Sequence, residues 1–424
     1  ILALLIKIGV SSFTGLKIAN GLFLLGTVLI TYLLCLRFTS KHIFSGLIAL
    51  SVLLNMHLLD YSTIVMSEIP FVFISLLSFY CFTKFIDSGF KLKSLAFVFT
   101  VIGCIAAVYI RTQGITIVGG FVFYLVIVKH YKISAILLVL VVIGILPWQL
   151  RSNALGGSSY VKQLTSVDPY ADKSEKMKLK DWMHRIKENA GRYASKELTS
   201  LAFPHKPTVY NDAKTGKPVP ATTEQWIIGI SIVLLGLFGI WKLKEFRWLL
   251  LSFFGANFLI LLLWPEVWFG IRFVLPLTPL IFMAVFLGVK SLLELKIKHE
   301  FVTSGKFFPI VIIPFILINF QGVKKLHLKA EGKHQSNWAN YLLMAEWIET
   351  NIPGEKVIVT RKPGLFYAKS HKKVMNFIFT DDVEKIFNDF NNQKATHIVL
   401  EQLGFSQTGK YLYPLLVKEP DRFK

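Results

Sequence analysis

Charge is scarce in this chain. Only 17% of its 424 residues are Asp, Glu, Lys or Arg, against 53% that are hydrophobic, a balance that excludes an ordinary soluble domain. Cysteine is rarer still: Cys35, Cys81 and Cys104 are the three, and all lie inside apolar stretches. They give no disulfide framework and indicate no catalytic thiol. Acids are outnumbered, 26 against 47 Lys and Arg, for a formal net charge of +21. That excess would suit nucleic acid if it formed a stripe on a soluble face. Much of it instead falls in short loops between apolar runs, so membrane topology explains it and nucleic acid is excluded as a partner. Repeats, low-complexity tracts and Asn-x-Ser/Thr sequons are absent from the sequence. Ser304-Gly305-Lys306 lacks the upstream glycine of a nucleotide-binding loop.

What the chain does have is a series of apolar runs, with a mean hydropathy of +0.54 overall. Residues 1–9 are too short to cross a bilayer and read as an interfacial helix, since a crossing takes about 20 residues. Spans are expected at 15–37, 42–59, 67–87, 92–110, 114–129 and 132–150, then at 225–241, 246–264, 273–294 and 307–321. The fold class is therefore an all-α polytopic membrane protein. Four parts follow: an N-terminal transmembrane bundle over 1–150, an extracytoplasmic amphipathic segment over 151–224, C-terminal spans over 225–321 and a soluble tail over 335–424. Ile1 is not a start methionine and no cleavable signal precedes the first run, so the N-terminus reads as a truncation.

Lys and Arg mark one set of alternate loops, including Arg37 and Lys41, Lys84 to Lys93, Lys129 and Lys132, Lys242 to Arg247, and Lys290 to Lys306. These are expected to be cytoplasmic. The other set holds Asp60 and Glu68, Arg111, the 151–224 segment, Glu266 and Arg272, and the tail, and is expected to face outward. No charge falls near the middle of a span.

The outward ends therefore carry the candidate chemistry. In the stretch His57 to Pro70, two acids, Asp60 and Glu68, stand between runs long enough to enter a bilayer, where acids are costly unless used. Ser67 reads as an N-cap with Pro70 in the first turn, placing Glu68 at a helix start. The bland alternative carries equal weight: the helix dipole favours an acid there with no further role. Arg111, Arg151 and Arg272 end other spans on the same side. Each has the alternative of snorkelling to headgroups, but three together on the less basic face are harder to dismiss. Trp148, Trp264 and Trp268 read as an interfacial aromatic belt rather than a sugar platform, and His57 as a satisfied interfacial histidine rather than a metal ligand.

Within 151–224, Leu179, Trp182, Met183, Ile186, Ala190 and Tyr193 recur at spacings of three and four, which predicts a basic amphipathic helix. It is expected to lie on the outer leaflet; the sharper alternative is that it roofs a lipid-phosphate site. The tail alternates helix (338–351), strand (356–360), short helix near Leu365, strand (374–379), helix (381–390), strand (397–401) and a last helix. That is the pattern of a small α/β extracytoplasmic domain.

Ser67-Glu68-Ile69-Pro70, Arg111-Thr112-Gln113-Gly114, Trp148 to Asn153, and Arg272-Phe273-Val274-Leu275-Pro276 with Pro279 together resemble the GT-C superfamily of membrane glycosyltransferases. The resemblance is to the bacterial branch with the aminoarabinose transferase and the protein O-mannosyltransferases. Lys362 to Tyr367 looks like part of the outer domain of the same branch. The resemblance implies a GT-C-like helical bundle in the bacterial cytoplasmic (inner) membrane. It implies transfer of a sugar, hexosyl or pentosyl, from a polyprenyl-phosphate donor to a glycan, lipid or protein acceptor at the outer face. Glu68 and Asp60 would be the catalytic acids, with Glu68 also the candidate ligand of a divalent metal (Mg or Mn). Arg111, Arg151 and Arg272 would contact the lipid phosphate, since a guanidinium fork matches phosphate oxygens. The family's first outer loop, with its acidic catalytic motif, would precede Ile1. A transporter or lipid flippase is the competing class, but predicts mid-membrane ionisable groups and paired sequence halves, and neither is seen. A non-catalytic assembly partner is the third.

Overall fold

The computed structural model describes residues 2–10, 12–154, 160–170, 174–204, 208–211, 218–297, 299–332 and 335–423. Ile1–Leu164 and Met177–Lys329 make one compact unit, and Thr165–Lys176 with Ala330–Lys424 a second.

The first unit opens with the short α1 (Leu2–Lys7), then α2 (Phe13–Thr39), α3 (His42–Leu53), α4 (Met56–Ser62), α5 (Glu68–Asp87), α6 (Leu95–Ile110), α7 (Ile115–Ile127) and α8 (Tyr131–Ala154). After α9 (Tyr160–Thr165), α10 (Leu179–Arg192) and α11 (Leu198–Ala202) come α12 (Thr223–Lys242), α13 (Arg247–Leu263), α14 (Thr278–Lys296), the single-turn α15 (Glu300–Thr303) and α16 (Phe308–Glu331). Every expected span is thus helical. Among the described residues six helices are long and apolar enough to cross a bilayer, seven if the bent pair α3–α4 is one span, while α6, α7 and α13 are apolar but shorter. This is an integral membrane protein. Rings fill its core: Phe82 stacks on Phe121 with centroids 4.1 Å apart, Phe79 meets Phe253 edge-on at 4.9 Å, and Phe44 meets Phe308 at 4.3 Å. Aromatic pairs of this kind join α5 to α7 and α13, and α3 to α16, by area and by ring electrostatics.

Two local expectations need correction. The span expected over 42–59 is broken, with α3 and α4 bent by 54°. Asn55 is the cause: its Oδ1 accepts from the amides of His57 and Leu58, both at 3.2 Å, and so starts a new helix. Its Nδ2 donates to Leu201 O at 3.1 Å, and His57 Nε2 lies 3.0 Å from Ser200 O, tying α4 to α11. Ser67 precedes α5 as expected but makes no side-chain cap; its Oγ instead faces Arg111 Nη1 at 3.4 Å. The helix α10 forms as an amphipathic helix, as expected, and the side it turns into the unit is polar. Leu179 and Met183 are 78% and 61% exposed, whereas Arg185 and Asn189 are buried. Backbone carbonyls at the end of α13 need donors, and Arg185 and Asn189 supply them.

In the second unit α17 (Ser336–Asn351) leads into β1 (Val357–Val359), α18 (Pro363–Ser370), β2 (Lys373–Met375), α19 (Val383–Asn392), β3 (His397–Ile398) and α20 (Tyr413–Lys418). The strands are parallel in the order β2-β1-β3, with Val357 opposite Lys373 and Ile358 opposite His397. β1 is buried on both faces, as a central parallel strand should be. Ile358 packs with Tyr341 and Phe366 on one side, Val359 with Phe377 and Ile386 on the other.

Candidate functional site

The break between α6 and α7 fixes the first candidate cation. Arg111 ends α6 in an extended conformation, φ −150° and ψ 140°, and Thr112–Gly114 form one 3-10 turn before α7. A Cβ on Gly114 would lie 2.4 Å from the carbonyl carbon of Ala107, so only glycine lets this turn fold back on α6. Arg111 then reaches the start of α5, where its Nη1 stands 2.5 Å from Glu68 Oε1. Glu68 is 2% exposed. The two charges face each other as an ion pair without hydrogen-bond alignment, and neither carboxylate oxygen has another donor among the described residues. A buried acid of this kind survives only beside a cation.

Gln113, two residues on, donates from Nε2 to Phe273 O at 2.9 Å. That bond ties the Arg111 turn to the segment carrying Arg272. The guanidinium carbon of Arg111 lies 6.0 Å from the centroids of both Phe71 and Phe273, and that of Arg272 lies 4.7 Å from Phe273. Two cations thus share one ring. Tyr61 is within electrostatic range of Glu68, Arg272, Asp60 and Arg111. Arg272 makes no ion pair or hydrogen bond among the described residues. Beside Ser67 opens a cavity of about 250 Å³ whose walls include Asn20, Val65, Met66, Pro70 and Tyr109.

The other two candidates stand elsewhere. Asp60 pairs with Lys329, Nζ to Oδ1 at 2.9 Å, near the far end of α16. Arg151 is exposed near the end of α8, its guanidinium carbon 5.6 Å from the ring of Trp148 on the same helix. Among the described residues no contact joins it to Glu68, Arg111 or Arg272. Nor do three His, Cys, Asp or Glu side chains gather anywhere among them as a metal site. Glu68 offers a single carboxylate already faced by Arg111, which does not fit a metal held by protein ligands.

Sequence reasoning missed the polar line that runs from α10 into the π-helical turn Tyr193–Glu197. Arg185 Nη1 donates to Leu164 O at 2.6 Å, and Asn189 Nδ2 to Leu262 O at 2.9 Å and Trp264 O at 2.8 Å. Arg192 Nε donates to Glu197 Oε1 at 3.1 Å, Nη1 to Glu266 O at 2.9 Å and Nη2 to Asn189 Oδ1 at 2.9 Å. Glu197 is fully buried. Burial pushes its carboxyl up from the ordinary range, opposed by Arg192. Lys196 donates to Val209 O at 3.0 Å and also to Val219 O, and burial lowers its pKa. The signal in the sequence is the spacing 185, 189, 192, 196, a second stripe at helical period beside the apolar one. Trp264 and Trp268, expected in an aromatic belt, pack with each other at 5.5 Å, and Trp264 with Phe273 at 6.1 Å.

Residues 6–156 match the family model described as dolichyl-phosphate-mannose-protein mannosyltransferase. The matched stretch is less than half of the chain. It contains Asp60, Glu68, Arg111 and Arg151 and ends before α10 and Arg272. No curated protein matches the chain. The match and the apolar helices together support a membrane protein similar to glycosyltransferases.

Proposed function

We propose that this protein transfers a sugar, hexosyl or pentosyl, from a polyprenyl-phosphate donor to a glycan, lipid or protein acceptor, at the outer face of a bacterial cytoplasmic membrane. The observation that carries the proposal is the arrangement around Phe273. There Arg272, free of ion pairs and hydrogen bonds among the described residues, lies against the same ring as Arg111, in a chain whose residues 6–156 match a family named for transfer from dolichyl-phosphate mannose.

Breaking the bond between a sugar and a lipid phosphate leaves negative charge on the departing phosphate oxygen. Guanidinium groups already in place can stabilise it without reorganising. Arg272 offers its whole fork, and Arg111 the N–H groups not turned to Glu68. Glu68 is committed to Arg111, so its proposed role is to hold that guanidinium, whereas Asp60 is held by Lys329. Chain residues thus supply the phosphate side of the reaction. The cavity beside Ser67 is apolar over most of its wall, which suits the lipid end of such a donor. In the loops that carry Lys and Arg, the charge pattern favours the cytoplasmic side, leaving this end of the bundle outside.

The test is Arg272→Gln in membranes supplied with polyprenyl-phosphate sugar, following release of polyprenyl phosphate. Turnover should fall about 100-fold, the scale on which a preorganised donor to a developing anion acts. Near wild-type turnover in well-expressed Arg272→Gln would refute the phosphate role.

A further inference from the structure

We infer that the pair Arg192–Glu197, with Asn189, is a positioning device for Arg272, which makes the 185–197 segment a support of the reacting end. The role assumes that Arg272 meets the donor phosphate, as proposed above.

Arg192 and Arg272 are opposites. Every nitrogen of the Arg192 guanidinium has an acceptor, on Glu197, Glu266 and Asn189, so three of its five N–H groups are already committed. Through these bonds and those of Asn189 the chain is gripped at Leu262, Trp264 and Glu266. Gly270 has a φ of +117°, a conformation open to glycine alone at little cost, and it turns the chain into the 3-10 helix Ile271–Phe273. On the other side of Arg272, Gln113 holds Phe273 O. The arginine is therefore bracketed by backbone holds at positions 266 and 273.

That arrangement solves a physical problem. A cation fixed by a counter-ion is neutralised and loses its pull on an incoming anion, whereas one fixed through its neighbours' backbone keeps its full charge. Stability alone would not call for it, since buried ion pairs can be replaced by apolar residues at little cost or with gain.

Donor KM and kcat would be measured on the full chain in proteoliposomes for Glu197→Gln, Arg192→Gln and Gly270→Ala, each alone and combined with Arg272→Gln. The last of the three is a clean probe, because its Cβ meets nothing within 4 Å and acts only through φ. Each single change should lower kcat/KM about 10- to 100-fold, the scale of a misplaced reacting group. In the Arg272→Gln background each should cost less than about twofold, the signature of one shared function. Hydrogen exchange over 264–272 should quicken while α5 and α7 stay protected, which separates a loosened loop from a lost fold. Equal losses in both backgrounds, or unchanged exchange over 264–272, would overturn the positioning role while leaving Arg272 as a phosphate contact. Normal transfer by Arg272→Gln would overturn both.

Discussion

Glu68 is the residue at which two physical accounts diverge most. As a bare helix start, its charge would be worth about 0.3–1 kcal/mol to the fold through the dipole. As the buried partner of Arg111 its removal leaves a guanidinium uncompensated, a loss of roughly 3–5 kcal/mol. Glu68→Gln should therefore lower the unfolding midpoint in detergent by the larger amount, and Glu68→Gln with Arg111→Gln should recover part of it. A midpoint within the dipole's small range for the single variant would argue that the pair is not formed. Sequence placed both residues at span ends but not together: 43 positions separate them, and no local rule says which cation a given acid meets. Asp60 shows the same gap, since its partner Lys329 comes from the last helix of the unit.

Among the elements, the turn between α6 and α7 controls most. It aims Arg111 at Glu68 and Gln113 at Phe273, and it exists because Gly114 lets the backbone lie against Ala107. Gly114→Ala would force a Cβ to within 2.4 Å of a backbone carbon, where no flexible side chain can yield. The expected cost is about 1–3 kcal/mol, as for overpacking elsewhere, read as a lower thermal midpoint together with loss of transfer. An alanine variant as stable and as active as the parent would mean that the turn is looser than its geometry indicates. The helix α10 teaches the complementary lesson. Its apolar period was legible and the helix forms over Leu179–Arg192, yet the face turned inward was chosen by carbonyls at the end of α13. Amphipathicity gives a helix and two faces; the unsatisfied groups of its neighbours decide which face is buried.

For the whole molecule the sidedness of the loops is the testable claim. Single cysteines at Lys306 and Glu384, whose side chains are 68% and 70% exposed, should react with an impermeant thiol reagent from opposite sides of intact membranes, Glu384→Cys from outside. Labelling of both from one side would reverse or break the assigned topology. The sequence by itself determined the apolar helices and the βαβ order of the tail. Hydropathy, strand period and the exclusion of charge from a bilayer core are properties of short stretches, and any tertiary arrangement must respect them. It also determined that the free charges would sit at span ends. Only the tertiary structure decided which of them meet. Arg111 reaches Glu68 and shares Phe273 with Arg272, and Arg192 closes on Glu197 and Glu266. Arg151 stays on its own helix beside Trp148. The physical reason is that a charge buried in an apolar bundle is stable only beside its complement, and complements are brought together by the packing of distant helices.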